Sequence, residues 1–340
     1  MKKSLLLILL LSLLLSRFSF AQKILSDKET FAHRDCFSGP FVNYDSWLAK
    51  ITKGSQRKAK TPKELEQRLA KFKEVFSKES FDRYKESIEC TVFKYPVGNL
   101  TVSGYVIKPK GQTDLPVLIY NRGGNGRYGA VVFGAMMANL FPMAEQGFVI
   151  IGSQYRGAFD KEVVKGKYDE FGGSDVLDVV KLAKYIPYIE GADSSKVGMY
   201  GSSRGGMQTF LAMQRMPEVK AVASIAGASD LLRELEFRQS MENVYKVRIP
   251  NYDVNKEAEL GKRSVVKWVD KLDKGVPILI QHGDRDDRVS VENAKWLANA
   301  LEKSEHPHRL SIYKNEGHGW SPKTKPAAMR ELADWFHQHL

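Results

Sequence analysis

The stretch of this chain best suited to covalent chemistry is Gly201-Ser202-Ser203-Arg204-Gly205-Gly206. It follows the apolar run Val197 to Tyr200 and leads into Met207-Gln208-Thr209-Phe210-Leu211-Ala212-Met213, the pattern of a strand, a tight turn and a helix. In a G-x-S-x-G turn the central serine sits in strained backbone, and the flanking glycines remove Cβ atoms that would collide where strand and helix meet. Such a turn lifts the Ser203 hydroxyl above the sheet and aims the N–H of Arg204, at the helix start, toward the same spot. One piece of backbone then offers both a nucleophile and a donor for a developing oxyanion.

A serine hydroxyl is a weak nucleophile until a base takes its proton, and the base needs a carboxylate to fix its tautomer. Both residue types follow downstream. The apolar run Val276 to Ile280 leads into Gln281-His282-Gly283-Asp284-Arg285-Asp286-Asp287-Arg288-Val289, which sets three carboxylates just past a strand. Leu310 to Tyr313 leads into Lys314-Asn315-Glu316-Gly317-His318-Gly319-Trp320, where His318 stands on a glycine-flanked loop. Spacing alone does not rank Asp284, Asp286 and Asp287. His282 is expected to be a buried, hydrogen-bonded histidine. His306 with His308, and His337 with His339, read as exposed strand and terminal-helix residues, so no metal site is expected. Asp175 and Asp178 are expected to cap and orient the helix before the elbow, and Glu316 to be a solvated loop carboxylate.

The elements that must hold these groups alternate. Strands are expected at Leu100 to Pro109, Pro116 to Tyr120, Phe148 to Ile151, Val197 to Tyr200, Val219 to Ala226, Val276 to Ile280 and Leu310 to Tyr313. Helices are expected at Ala130 to Gln146, Ser174 to Tyr188, Met207 to Met213, Val291 to Leu301 and Pro326 to His339. Such alternation predicts an α/β protein: a mainly parallel sheet with helices on both faces and reactive groups at the carboxyl ends of strands. Between 227 and 274 the pattern lapses into a polar, charged insertion, a natural place for part of a lid. Residues 22–89 read as a helical N-terminal segment. There Thr61-Pro62-Lys63-Glu64 combines a capping box with a first-turn proline, and Leu65, Leu69, Phe72 and Phe76 recur at helix spacing.

The first residues have a different character. Lys2 and Lys3 precede an apolar stretch from Leu5 to Leu15, and Ser16 to Ala21 supply the small residues of a cleavage site, so residues 1–21 read as a signal peptide and the mature chain is expected to begin at Gln22. No later stretch is apolar for long enough to span a bilayer, and no stable membrane insertion is expected after cleavage. Of the formal net charge of +12, Lys2, Lys3 and Arg17 supply three. The remaining basic residues are interspersed with acidic ones without an aromatic-basic patch, which argues against nucleic acid as a partner. Cys36 and Cys90 are the two cysteines. In an exported protein they can form a disulfide, the alternative being two buried thiols.

Taken together, G-x-S-x-G-G at Gly201 to Gly206, H-G-x-x-D-x-x-V at His282 to Val289 and His318 about thirty residues on resemble the prolyl oligopeptidase family of serine peptidases, over roughly Thr91 to Leu340. Smaller matches are Tyr155-Arg156-Gly157, Gly172 to Asp178, and Arg263-Ser264. The resemblance implies an α/β-hydrolase catalytic domain over residues 90–340, with chain order serine, acid, histidine. Carried over residue by residue, it makes Asp286 the acid beside Ser203 and His318. Three departures stand out. The β-propeller of the large peptidases is not expected, since only residues 22–89 precede the catalytic region. Met207 follows Gly206 where an aromatic is common. Arg122, ahead of Gly123 and Gly124, occupies the place of a histidine or tyrosine, the tyrosine being an oxyanion donor in the family. Arg122 is therefore expected either to donate to the oxyanion or to bind a substrate carboxylate, with the Gly123 or Gly124 N–H as backbone donors, unless it makes a structural salt bridge instead. The reading is an exported serine hydrolase acting through an acyl-enzyme on peptides, with carboxylic esters as the alternative and a binding protein on a hydrolase scaffold as a second one. It requires no metal or organic cofactor and leaves the oligomeric state open.

Overall fold

The computed structural model describes residues 24–160 and 166–340. The expected signal peptide lies outside them. The strands are β1 (Phe31–Asp35), β2 (Ile88–Val97), β3 (Leu100–Pro109), β4 (Leu115–Asn121), β5 (Val149–Ser153), β6 (Ala192–Ser202), β7 (Val219–Ile225), β8 (Ile278–Gly283) and β9 (His308–Tyr313). They form one sheet in the order β1-β2-β3-β5-β4-β6-β7-β8-β9. Pairing is antiparallel from β1 to β5 and parallel from β5 to β9. The fold is thus the α/β-hydrolase type expected, with the elbow strand β6 near the middle of the parallel part.

Continuous apolar runs form these strands because both faces of the sheet are covered. Along β4, Val117 and Ile119 enter one buried cluster and Leu118 the other; along β8, Ile278 and Ile280 enter the first and Leu279 the second. Helix residues Phe210 and Leu297 complete the first cluster, and Phe141 and Phe336 the second. This two-sided burial holds the strand ends in register, and therefore the loops that leave them.

Sequence periodicity misplaced three features. Residues 22–89 are not helical throughout: helices Tyr44–Gln56, Pro62–Val75 and Lys78–Ser87 are present, but β1 precedes them and pairs with β2. The hairpin from β2 to β3 turns at Gly98 (φ +59°) and Asn99, with Val97 opposite Leu100. That glycine–asparagine pair between alternating residues was the available signal. The stretch expected as one helix before the elbow is a short α-helix, Val176–Val180, continued by a 3-10 helix, Lys181–Tyr188, which contains Pro187. Proline has no N–H to donate, so Pro187 interrupts helical bonding near the end of the segment.

The helices of the N-terminal region pack on the flank of the sheet: Tyr44, Trp47, Phe81 and Tyr84 join Phe133, Met136 and Phe141 in the second cluster. Thr61 Oγ1 accepts the Glu64 N–H at 3.1 Å, while Glu64 reaches back to the Lys60 N–H at 2.9 Å. Cys36 and Cys90 form a disulfide, with Cα atoms 5.3 Å apart, which ties the region to β2. The insertion is less polar than its composition suggests. Helices Leu231–Phe237, Met241–Arg248 and Tyr252–Arg263 bury Leu231, Leu235, Tyr245 and Leu260 against Phe171, Met207 and Val289. Among the described residues no helix is long and apolar enough to cross a membrane.

Candidate active site

Ser203 follows β6 and immediately precedes the helix Arg204–Met213, with φ +59° and ψ −126°. A non-glycine residue in that region stores strain that surrounding structure must maintain. Here the Ser203 N–H donates to the Ile225 carbonyl at 2.8 Å and its own carbonyl accepts the Gly206 N–H at 2.9 Å. The helix can pass this close to β4 only because position 205 lacks a Cβ, which would collide with the Asn121 carbonyl. On the other side of the serine lies Gly123: a Cβ there would stand 3.1 Å from Ser203 Cβ and 3.7 Å from Oγ. Backbone of the 122–130 loop therefore lines the space beside the hydroxyl.

The two downstream loops meet each other. The Arg285 N–H donates to the Glu316 carbonyl at 2.9 Å and the Asp284 N–H to the Tyr313 carbonyl at 3.1 Å. Of the three aspartates left open by spacing, Asp286 is buried and Asp284 and Asp287 are exposed. Asp286 Oδ1 accepts the N–H groups of Arg288 (2.8 Å) and Val289 (3.0 Å), while Oδ2 lies 2.7 Å from His318 Nδ1. The buried His282 Nε2 stands 3.3 Å from the same oxygen and donates to the Val289 carbonyl at 3.0 Å. Burial opposes ionisation of Asp286, but hydrogen bonds from His282, His318 and the Val289 N–H outweigh it and hold the carboxyl well below the usual range. A carboxylate bonded at Nδ1 fixes a proton there and leaves Nε2 of His318 free to accept one.

Several side chains take places other than those expected. Arg122 is fully buried and gives its guanidinium entirely to backbone. Nε and Nη2 donate to the Gln154 carbonyl (2.9 and 2.6 Å), Nη2 also to Gly126 (2.7 Å), and Nη1 to Gly123 and Tyr128 (3.0 and 3.1 Å). With those N–H groups committed, the side chain is not available to an oxyanion or a substrate carboxylate, and among the described residues no salt bridge holds it either. Burial without a directly bonded carboxylate lowers its proton affinity. Asp175 does not cap the helix that follows. It accepts the N–H groups of Glu170 and Gly173 and pairs with Arg204 at 2.6 Å. Asp178 instead grips the Arg156 guanidinium through both oxygens. Glu316 accepts from the Ser321 N–H, Ser321 Oγ and Thr324 Oγ1, shaping the histidine loop. His306 is buried and bonded to the Val276 carbonyl.

Sequence reasoning missed the ion cluster behind the elbow. The Arg204 guanidinium is buried between Asp169 (2.9 Å) and Asp175, and donates to the Gly124 carbonyl at 2.8 Å. Arg248, from the insertion, reaches Asp169 at 3.2 Å. Burial disfavours the Arg204 charge, yet the two carboxylates more than restore it and raise its affinity for the proton. Nothing in local spacing pairs residues 169, 204 and 248, since they converge only on folding.

Comparison with known proteins places this geometry. A profile of the prolyl oligopeptidase family matches residues 135–340. The uncharacterized peptidase YtmA of Bacillus subtilis is 24% identical over 263 residues, covering 77% of this chain and 98% of that protein. The acylamino-acid-releasing enzyme of Rattus norvegicus is 24% identical over 251 residues, 68% of this chain but 32% of the relative. Among solved structures, uncomplexed acylaminoacyl peptidase of Pyrococcus horikoshii superimposes with a TM-score of 0.64 at 21% identity, over 78% of this chain and 44% of that one. The chain thus spans nearly all of the short relative and under half of the long ones. With its strained serine at the end of β6 and its sheet order, the chain belongs to the prolyl oligopeptidase family of serine peptidases.

Proposed function

We propose that this protein cleaves peptides with Ser203 as nucleophile, His318 as general base and Asp286 as the group that orients the imidazole. The observation that carries the reading is the strained Ser203 backbone beside Gly123, with the Asp286–His318 pair two loops away at the same edge of the sheet. His318 Nε2 takes the Ser203 proton as Oγ bonds to the scissile carbonyl carbon. The C–N bond then breaks, and the amine leaves with the proton His318 carried. Water, deprotonated by His318, attacks the acyl-enzyme and restores the serine. The oxyanion is held by the Arg204 N–H at the helix start and by the Gly123 N–H. Gly123 is preferred to Gly124 because it lies against Ser203, whereas Gly124 packs on the Tyr128 carbonyl. No step calls on a metal or an organic cofactor.

The same reading places the mature chain outside the cytoplasm, in the periplasm or the medium. The basic, apolar and small-residue sequence of positions 1–21 supports it, as does the Cys36–Cys90 bond, which persists in oxidising compartments. A fluorophosphonate probe tests the chemistry: it is expected to label the wild type and not Ser203→Ala, and labelling that survives the substitution would overturn the assignment. Aminoacyl amides run beside short acyl esters then test the substrate class, turnover of esters alone favouring an esterase.

A further inference from the structure

A side-chain bridge joins the loops that leave β4 and β8, on either side of the elbow strand. Arg288 Nη1 donates to Tyr128 Oη at 2.8 Å, and the Arg288 carbonyl receives Arg238 Nη1 from the insertion at 3.5 Å. Tyr128 belongs to the loop after β4 and Arg288 to the loop after β8. In the sheet β6 and β7 lie between those two strands, so the bridge closes three strand spacings, about 14 Å. The elbow leaves β6, inside that span.

Both ends of the bridge hang from buried groups of the site. The Tyr128 carbonyl is held by Arg122 and stacks on Gly124, where an added Cβ would collide with it; the neighbouring Gly123 is the residue that lies against Ser203. The Arg288 N–H is held by Asp286, whose other oxygen holds His318. The backbones at the two ends are therefore fixed, while the two side chains that meet are exposed, Tyr128 by 64%. A single hydrogen bond between exposed groups contributes little, so this closure is firm at its roots and easily parted at its centre.

We propose that Tyr128 and Arg288 form a strap over Ser203 and determine specificity by setting the size of acyl donor that reaches it. A short substrate passes under the strap. A chain that continues on both sides of the scissile bond must part the Tyr128–Arg288 bond first. Neither side chain touches the reacting atoms, so the pair acts through the shape of the opening. The proposal rests on Ser203 being the nucleophile.

The test uses the full mature chain, a short acyl p-nitrophenyl ester, and a series of doubly blocked peptides of increasing length around one scissile bond. Tyr128→Phe and Arg288→Met remove the bond from either end and keep most of the volume. Each is expected to raise kcat/KM for the long peptides relative to the ester by roughly two- to ten-fold, the factor one hydrogen bond of ordinary net strength represents. The double variant is expected to gain no more than the better single one, because one bond is lost in all three. A length profile unchanged in both single variants, or ester and peptide rates falling together, overturns the strap. Failure of the underlying assignment looks different: Ser203→Ala then retains the fluorophosphonate label or the ester turnover of the wild type.

Discussion

The loops on the two sides of Ser203 are fixed by opposite chemistry. On the 122–131 side, carbonyl oxygens of Gly123, Gly126, Tyr128 and Gln154 turn inward, and the guanidinium of Arg122 supplies the donors. On the 283–324 side, N–H groups of Arg288, Val289 and Ser321 turn inward, and Asp286 and Glu316 supply the acceptors. The difference teaches that a buried charge near the elbow serine is not by that fact a substrate contact. What matters is how many of its hydrogen-bonding positions the backbone leaves open. Arg122 keeps none for a ligand, whereas Asp286 keeps one oxygen for a histidine that itself remains partly exposed.

The largest effect should come from the acceptor side. Asp286→Asn keeps the shape and the oxygen facing the Arg288 and Val289 N–H groups, but it presents a neutral amide to His318 and forfeits the tautomer that leaves Nε2 free. We expect kcat to fall about ten-thousand-fold, and the melting temperature at neutral pH to fall as well, since the ionised Asp286 stabilises the fold there. A loss under ten-fold in steady-state kinetics would remove Asp286 from the mechanism.

The donor side should answer in stability first. Arg122→Met abandons inward-facing carbonyls in a dry interior, and we expect a loss of about 3–5 kcal/mol in urea unfolding. Activity should fall with it as the loop beside Ser203 loosens. If kcat/KM dropped while unfolding stayed at the wild-type midpoint, Arg122 would have to be returned to the oxyanion site.

A third, smaller effect sharpens the contrast by asking what a buried carboxyl does without such donors. Glu234, from the insertion, accepts from the Asn293 amide and the Ser290 N–H, and burial, with Asp286 nearby, pushes it up from 4.5 to about 7. A carboxyl raised on folding binds its proton more tightly in the native state. Its stabilising contribution is complete at acid pH and is lost as pH rises from about 4.5 to about 7. Asp286, depressed on folding, has the reverse sign: its contribution is present above the unfolded carboxylate range and fades as pH falls below it. Glu234→Gln should therefore flatten the melting temperature across pH 5 to 7 relative to wild type, an outcome thermal scans at stepped pH can deny.

The candidate site was legible in the sequence where it depends on local order. A strand, a glycine-flanked serine and a helix follow one another within a dozen residues, and aspartates and a histidine each stand just past an apolar run. Short-range sterics and strand periodicity are enough to place them. The acid among Asp284, Asp286 and Asp287 was not fixed by spacing, because the three share one exposed-looking loop and only the folded backbone turns one of them inward. β1, the edge strand, and β2 beside it escaped notice because charged residues interrupt their alternation.

What the amino-acid sequence alone determined is the alternation of strands and helices through the parallel part of the sheet and the residue types at its strand ends, since propensity, periodicity and turn chemistry act over neighbours. Tertiary structure decided what the charges are for. Arg122, Asp175 and Arg204 find partners at distant positions in the chain as well as nearby ones, and whether a guanidinium faces a ligand, a carbonyl or a carboxylate depends on which loops the packed sheet brings to it. Charge is a property of a residue, but the hydrogen bonds left over for chemistry are a property of the fold.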